Sequence, residues 1–119
     1  MAKWAPEGWH SITPRLVVPD VEGQVVFMRE AFGATGEYVE GRPAELKIGD
    51  SMVMVSGVGV REARPASLYL YVEDADATFG KAVAAGAEVI EAMRDTPYGD
   101  RRGMVRDGGG NVWQIATRG

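Results

Sequence analysis

The sequence predicts an α+β fold in which one domain is built from two βαβββ modules. The main observation is an internal repeat. Residues 16–36 and 70–89 both run through a short apolar strand, an acidic residue, a helical stretch, a glycine and an extended segment. A second observation is the length of 119 residues, which suits a single domain with its own core. The repeat divides the chain into module one at 11–57, a linker at 58–66 and module two at 67–117.

The two predicted helices carry the same signals at both ends. Asp20 is placed to cap the amino end of the first helix, and Gly33 to end it in the left-handed conformation. The second helix, predicted over 75–85, begins after Asp74 and stops at Gly86 in the same manner. Apolar residues of the first helix form one stripe at helical spacing, namely Val21, Val25, Met28 and Phe32.

Short extended segments complete the two modules. Apolar patterning marks each segment, and Gly, Pro and Asp mark the turns between them. In module one they are 12–18, 37–40, 44–48 and 52–56, and in module two they are 67–72, 88–91, 101–106 and 111–117. The sequence Asp107-Gly108-Gly109-Gly110 predicts a hairpin turn between the last two.

One face of the predicted sheet is neither a core nor an ordinary solvated surface. Because successive side chains of a strand point to opposite faces, the aliphatic residues of 67–72 separate from Ser67, Tyr69 and Tyr71. The aliphatic face is expected to pack on the helices. The mixed face has the composition of a small-molecule pocket. A half-solvated sheet and a face covered by a partner subunit are the alternatives.

Composition excludes several classes of function. The absence of Cys rules out disulfides, zinc ribbons, iron–sulfur clusters and cysteine nucleophiles. The single His leaves too few imidazoles for most zinc, iron, nickel or copper sites. The formal charge of −4 disfavours nucleic acid and is compatible with a neutral or cationic ligand. A cytoplasmic protein is expected, because the sequence has neither a membrane-length apolar run nor the apolar region of a signal peptide.

Five segments, taken in order, carry a resemblance to a known family. They are GWHSITPRLVV (8–18), EAFGA (30–34), KIGDSMVMVS (47–56), LYLYVEDADATFGKAVAAGA (68–87) and YGDRRGMVRDGGGNVWQIAT (98–117). Together they resemble the vicinal oxygen chelate superfamily, which contains glyoxalase I, bleomycin resistance proteins and extradiol dioxygenases. The resemblance implies paired βαβββ modules whose mixed sheets curl around a cavity, often in a homodimer.

The resemblance also implies positions for a divalent metal, which the enzymes of the family hold with His and Glu side chains. In this sequence those positions are Thr13, Met54, Ser67 and Gln114. None of them is a His or a carboxylate. Hydroxyl, thioether and amide groups lack the charge that displaces the water shell of a metal ion. We therefore expect no metal and no other cofactor.

Two residues are candidates for catalysis. His10 is the only imidazole and could act as a general base, although its neighbour Ser11 points to the opposite face of a strand. Glu45 could point into the cavity as a base or a cation ligand, with an ordinary solvated carboxylate as the alternative. Arg15 could clamp an anionic group or pair with Glu45.

These observations favour a metal-free protein that binds and sequesters a small aromatic or cationic molecule. The resemblance to bleomycin resistance proteins implies a role in antibiotic resistance. The expected ligand-binding residues are Arg15, Met52, Met54, Ser67, Tyr69, Tyr71 and Gln114. The expected partners are a small-molecule ligand and a second copy of the chain, with no nucleic acid and no membrane. The alternatives are a metal-independent glyoxalase-like isomerase or lyase using Glu45 or His10 with Arg15, and a structural dimerisation domain.

Overall fold

The computed structural model describes residues 4–59 and 62–119, which form two helices and seven strands. In chain order they are β1 (Arg15–Val18), α1 (Val21–Phe32), β2 (Ala44–Ile48), β3 (Ser51–Gly57), β4 (Ser67–Tyr71), α2 (Ala75–Ala84), β5 (Glu88–Asp95), β6 (Asp100–Arg106) and β7 (Val112–Arg118). The predicted α+β class is confirmed. Val60 and Arg61 of the predicted linker lie outside the described residues.

The strands form two hydrogen-bonded sheets, one from each half of the chain. The order is β1-β3-β2 in the first sheet and β4-β7-β6-β5 in the second sheet. In both sheets the first strand runs parallel to the last strand, which pairs antiparallel with the strand before it. The two halves therefore share one topology, to which the second half adds β5.

Residues 37–40 are not a strand, so the prediction for this segment is wrong. At Gly36 the chain passes so close to β2 that a Cβ atom would lie 2.4 Å from the backbone oxygen of Glu45. Thr35 forms a single antiparallel bridge with Lys47 of β2, and the chain turns at 39–42, where the Arg42 N–H donates to the Val39 carbonyl at 3.4 Å. Pairing with β2 is limited to this one bridge, so the described part of the first half has no strand equivalent to β5.

The sequence predicted both helix starts correctly. The Asp20 side chain accepts the Gly23 N–H at 3.0 Å, and the Asp74 side chain accepts the Ala77 N–H at 3.1 Å. Gly33 ends α1 in the left-handed conformation with φ 68°. Within residues 4–59 and 62–119, no helix is long and apolar enough to cross a membrane.

The apolar core lies where the two helices meet the two sheets. Helix α1 packs on α2 and on the first sheet, and α2 packs on the second sheet. Trp113 of β7 is the largest wholly buried side chain among the described residues, and its ring centre lies 4.6 Å from that of Phe32 on α1. The aliphatic residues of β4 pack against this core, as predicted.

A buried polar cluster joins the two halves of the chain. Asp107, in the turn before β7, accepts a hydrogen bond from Nε2 of Gln24 on α1 at 2.7 Å and one from Nε1 of Trp113 at 2.8 Å. Its other oxygen accepts the backbone N–H groups of Gly109 and Asn111. A buried carboxylate is tolerated only when it is satisfied in this way. The cluster therefore fixes the turn of the second half against the helix of the first.

Candidate functional site

Two tyrosines of β4 stand on the face of the second sheet that is turned away from the helices. Tyr69 is 38% exposed and Tyr71 is 54% exposed, and their ring centres lie 5.2 Å apart. Both hydroxyls donate to Oδ2 of Asp100 on β6, at 2.6 and 2.8 Å. Because one carboxylate holds both hydroxyls, the two rings keep a fixed position and lose little side-chain entropy when they bind a ligand.

Asp100 lies beneath these hydroxyls with its side chain fully covered. Its Oδ1 atom accepts a hydrogen bond from Nε of Arg118 at 2.5 Å. The hydrogen bonds from Tyr69, Tyr71 and Arg118 lower the pKa of Asp100 against the opposing effect of burial. Burial and the hydrogen bond to Asp100 raise the pKa of the Tyr69 phenol above its ordinary value. At neutral pH the site therefore contains an ionised Asp100 and an uncharged Tyr69.

A cavity of about 630 Å³ opens beside the two rings, between the end of β4 and the turn that joins β2 to β3. We call it the tyrosine cavity. Its apolar wall is formed by Phe32, Ile48, Leu70 and Val72. Its charged residues are Asp50 and Glu73, and no Lys, Arg or His is among the described residues that line it. Neither carboxylate takes part in an ion pair within the described ranges. The cavity thus combines aromatic rings with two carboxylates that form no ion pair, while the Arg118 guanidinium donates to the Tyr71 hydroxyl at 3.3 Å.

Arg102 of β6 lies on the same face and is 7% exposed. Its guanidinium donates to Oε1 of Gln114 and to Oε1 of Glu91 on β5. Its Nε atom has no acceptor among the described residues. The strand register places Gln114 beside Tyr69. The Gln114 amide oxygen is therefore engaged by a guanidinium rather than free to bind a cation.

Three of the predicted ligand-binding residues lie on the first sheet. Met54 of β3 stands in register between Arg15 and Glu45. Arg15 donates to the Met54 sulfur at 3.5 Å and to Oγ of Ser56 at 3.2 Å. The predicted set is thus divided between two sheets, with Arg15, Met52 and Met54 on the first and Ser67, Tyr69, Tyr71 and Gln114 on the second. Of these residues, Tyr69 and Tyr71 line the tyrosine cavity.

The positions that the resemblance implies for a metal do not fit a metal ion. The Gln114 oxygen accepts from Arg102, and the Met54 sulfur accepts from Arg15, so a guanidinium lies beside each atom. A divalent cation at either place would meet a positive charge within a few ångströms. The other two positions offer hydroxyl groups alone. Nor do any three His, Asp or Glu side chains in the described parts of the chain come together as a metal site requires.

His10 and Glu45, the candidates for catalysis, lie away from the tyrosine cavity. His10 is exposed, and its imidazole forms no hydrogen bond with the described residues. Glu45 is exposed on β2 and lines a separate depression with Glu37 and Arg42. No ion pair joins Glu45 to Arg15 in the described ranges. The geometry therefore does not pair either candidate with a second catalytic group.

Three carboxylates of the site were not predicted. Asp50 has the sequence context of a turn residue, and Glu73 precedes the Asp74 helix cap. Asp100 is 31 positions from Tyr69 along the chain. Strand alternation placed both tyrosines on one face, but no local pattern tells which distant carboxylate will lie beside them.

Comparison with known proteins supports the fold independently. The sequence profile of the Glyoxalase/Bleomycin resistance protein/Dioxygenase superfamily matches residues 10–115. An uncharacterised protein of Mycobacterium tuberculosis is 32% identical over 126 aligned positions, which cover 88% of this chain and 72% of the relative. A similar uncharacterised protein of Mycobacterium bovis is also 32% identical, with 88% of this chain and 81% of the relative covered.

Solved structures share the same architecture. TioX from Micromonospora sp. ML1 has a TM-score of 0.80 and 25% identity, covering 92% of this chain and 98% of that chain. A glyoxalase-related enzyme from Fulvimarina pelagi has a TM-score of 0.76 and 23% identity, covering 92% of this chain and 88% of that chain. The second likeness shows the fold alone. Since the profile matches most of its length, this chain belongs to the glyoxalase/bleomycin resistance protein/dioxygenase superfamily.

Proposed function

We propose that this protein binds a small, positively charged aromatic molecule in the tyrosine cavity and does so without a metal ion. The observation that carries the proposal is the lining of the cavity. It has two exposed tyrosine rings, and the carboxylates of Asp50 and Glu73 have no basic neighbour in the lining. A planar cation gains from stacking on the rings, from cation–π attraction and from the negative charge.

The magnitudes favour a cation over a neutral ring of the same size. A cation–π contact at an exposed site contributes roughly 0.5–1 kcal/mol. A surface carboxylate within a few ångströms of the cation contributes up to about 1 kcal/mol. The cavity volume of about 630 Å³ lies within the range of small-molecule sites. Each term is small, so discrimination between ligands depends on their sum.

Sequestration is the function that this arrangement supports best. Tight capture of a ligand requires shape, stacking and charge, and the tyrosine cavity supplies all three. Membership of a superfamily that includes bleomycin resistance proteins supports a physiological role in resistance to a cationic aromatic antibiotic. We infer that role from the family together with the charge of the cavity.

The test uses three bicyclic probes of similar size: N-methylquinolinium, neutral quinoline and anionic naphthalenesulfonate. Calorimetric titrations in the presence of EDTA are expected to rank the cation first, about fivefold or more above quinoline, and the anion last. The variant Tyr71→Leu is expected to weaken binding of the cation about tenfold, since it removes one stacking face. Tyr38→Leu, in the segment between α1 and β2, is the matched control and is expected to leave the affinity unchanged.

Two results would overturn the proposal. One is equal affinity for the anionic and cationic probes. The other is a Tyr38→Leu variant that loses as much affinity as Tyr71→Leu. If no probe binds and sedimentation shows a dimer that protects Tyr71 from chemical modification, the structural dimerisation hypothesis replaces the binding one.

A further inference from the structure

The first sheet carries a second cavity, of about 330 Å³, beside the carboxyl end of β3 and the side chain of Arg15 on β1. Its polar lining residues are Arg15, Tyr38, Arg42 and Ser56, and its other lining residues are apolar or glycine. No Asp or Glu is among the described residues that line it. We call it the arginine cavity. Its two positive charges contrast with the negative charge of the tyrosine cavity.

Arg15 is half-buried in this cavity without a counter-ion. Its guanidinium donates to Oγ of Ser56 at 3.2 Å and to the Met54 sulfur at 3.5 Å, and both acceptors are uncharged. A guanidinium has five N–H donors, so most of its hydrogen-bonding capacity is unused by protein atoms. A partly desolvated cation with neutral partners gains strongly from an anion that accepts two hydrogen bonds at once.

Arg42 is exposed at the opening of the same cavity, and its side chain has no hydrogen bond or ion pair with the described residues. Glu37 and Glu45 line the adjoining depression, yet neither forms an ion pair with it. The arginines that do form ion pairs are Arg64, Arg94, Arg101, Arg102, Arg106 and Arg118. Two unpaired guanidinium groups therefore line one cavity.

We propose that the arginine cavity is a second binding site, which takes a small oxyanion group such as a carboxylate or a phosphate. Arg15 supplies the bidentate donor at the base of the site, and Arg42 supplies charge at its opening. Tyr38 also lines the cavity, and its hydroxyl, which makes no hydrogen bond with the described residues, is available as a further donor. This site does not depend on the proposed function, because none of its residues lies on the second sheet.

The test observes the arginine Nε–H signals of the intact protein by NMR at fixed ionic strength. Inorganic phosphate and benzoate are added in separate titrations, and the tighter of the two identifies the oxyanion class. The Arg15 and Arg42 signals are expected to move and to saturate. The Arg64 signal, from an exposed side chain paired with Glu62, is expected to stay in place.

Variants separate a built site from general attraction between charges. Arg15→Gln and Arg42→Gln are each expected to weaken binding about tenfold, while Arg64→Gln leaves it unchanged. Arg15→Lys keeps the charge but loses the planar fork of donors. Its affinity for the anion is therefore expected to lie between that of Arg15→Gln and that of the wild type. Tyr71→Leu is expected to bind the oxyanion normally, so failure at one cavity is distinguishable from failure at the other.

The proposal is overturned if neither anion moves the Arg15 signal. It is also overturned if all arginine signals drift together without saturation, or if Arg64→Gln weakens binding as much as Arg42→Gln does. Arg42 is exposed, so its variant keeps the test valid even if Arg15→Gln fails to fold.

Discussion

The tyrosine cavity and the arginine cavity lie on two sheets of one topology, yet they carry opposite charge. Arg15 on β1 and Tyr69 on β4 occupy equivalent places, since Arg15 pairs in parallel with Met54 and Tyr69 pairs in parallel with Gln114. One module thus presents a guanidinium where the other presents a phenol. A repeated fold fixes positions for side chains, but the residues at those positions determine what each module can bind.

The two sheets also differ in the strand that the first half lacks. In the second half, β5 supplies Glu91, which accepts a hydrogen bond from the buried Arg102. The described residues of the first half contain no equivalent strand, so the first sheet ends at β2 on the side away from β1. The formal charge of −4 for the whole chain conceals this separation into a basic site and an acidic one.

The largest predicted effect concerns the cluster that holds the two halves together. Asp107→Asn places an amide N–H₂ group where the carboxylate accepts hydrogen bonds from Gln24 and Trp113, leaving at least one buried donor unsatisfied. We expect a loss of about 2–4 kcal/mol in the free energy of unfolding, measured by urea denaturation. Asp95→Asn, at a carboxylate that is 87% exposed, is the control and is expected to cost under about 0.5 kcal/mol.

A loss below about 0.5 kcal/mol in Asp107→Asn would contradict this assignment, because a satisfied buried carboxylate cannot be replaced at no cost. The two halves of the chain would then not depend on that cluster for their relative placement.

A smaller effect tests the charge of the tyrosine cavity. Glu73→Gln and Asp50→Asn each remove a carboxylate of the cavity. Each is expected to weaken the binding of N-methylquinolinium by up to about fivefold. Quinoline, which is neutral, is expected to keep its affinity in both variants. Glu45→Gln, on the first sheet, is the control.

Equal weakening of the cation and of quinoline would show that these substitutions damage the cavity rather than change its charge. That result would remove the charge contrast between the two cavities.

The smallest effect concerns pH. Hydrogen bonds from Tyr69, Tyr71 and Arg118 lower the pKa of Asp100 in the folded protein. The ionised Asp100 therefore contributes fully to stability above about pH 3.9, the pKa of an Asp side chain in the unfolded chain. This contribution is lost as the pH falls through the lower pKa that Asp100 has in the folded protein. We expect Asp100→Asn to flatten the acid limb of a plot of the unfolding temperature against pH. Asp95→Asn is expected to leave the limb as it is.

A wild-type limb that Asp100→Asn does not alter would show that Asp100 is not held as an anion by the tyrosines. The fixed position assigned to the rings of Tyr69 and Tyr71 would then have no support.

Much of the fold could be predicted from local signals. Asp20 and Gly33 define α1 because capping depends on neighbouring residues, and strand alternation placed Tyr69 and Tyr71 on one face. The failure at 37–40 has a tertiary cause, since the close approach of Gly36 to β2 cannot be seen in the pattern of the segment itself.

The candidate site was less predictable than the fold. Tyr69 and Tyr71 were expected to bind the ligand together with residues of the first sheet, yet they line a cavity with Asp50 and Glu73. Which turn lies against which strand end depends on how the two halves pack, and the sequence has no local signal for that packing. The metal positions that the resemblance implies could be excluded by residue type, but the guanidinium groups beside two of them are visible only in the structure.

The most direct test of the central claim is an NMR titration of the tyrosine ring signals with N-methylquinolinium in the presence of EDTA. We predict that the Tyr69 and Tyr71 signals move together and saturate, while the signal of Tyr38, in the segment between α1 and β2, stays in place. This prediction would be contradicted if Tyr38 moved as far as Tyr71, or if the signals of Tyr69 and Tyr71 moved only after a divalent metal was added.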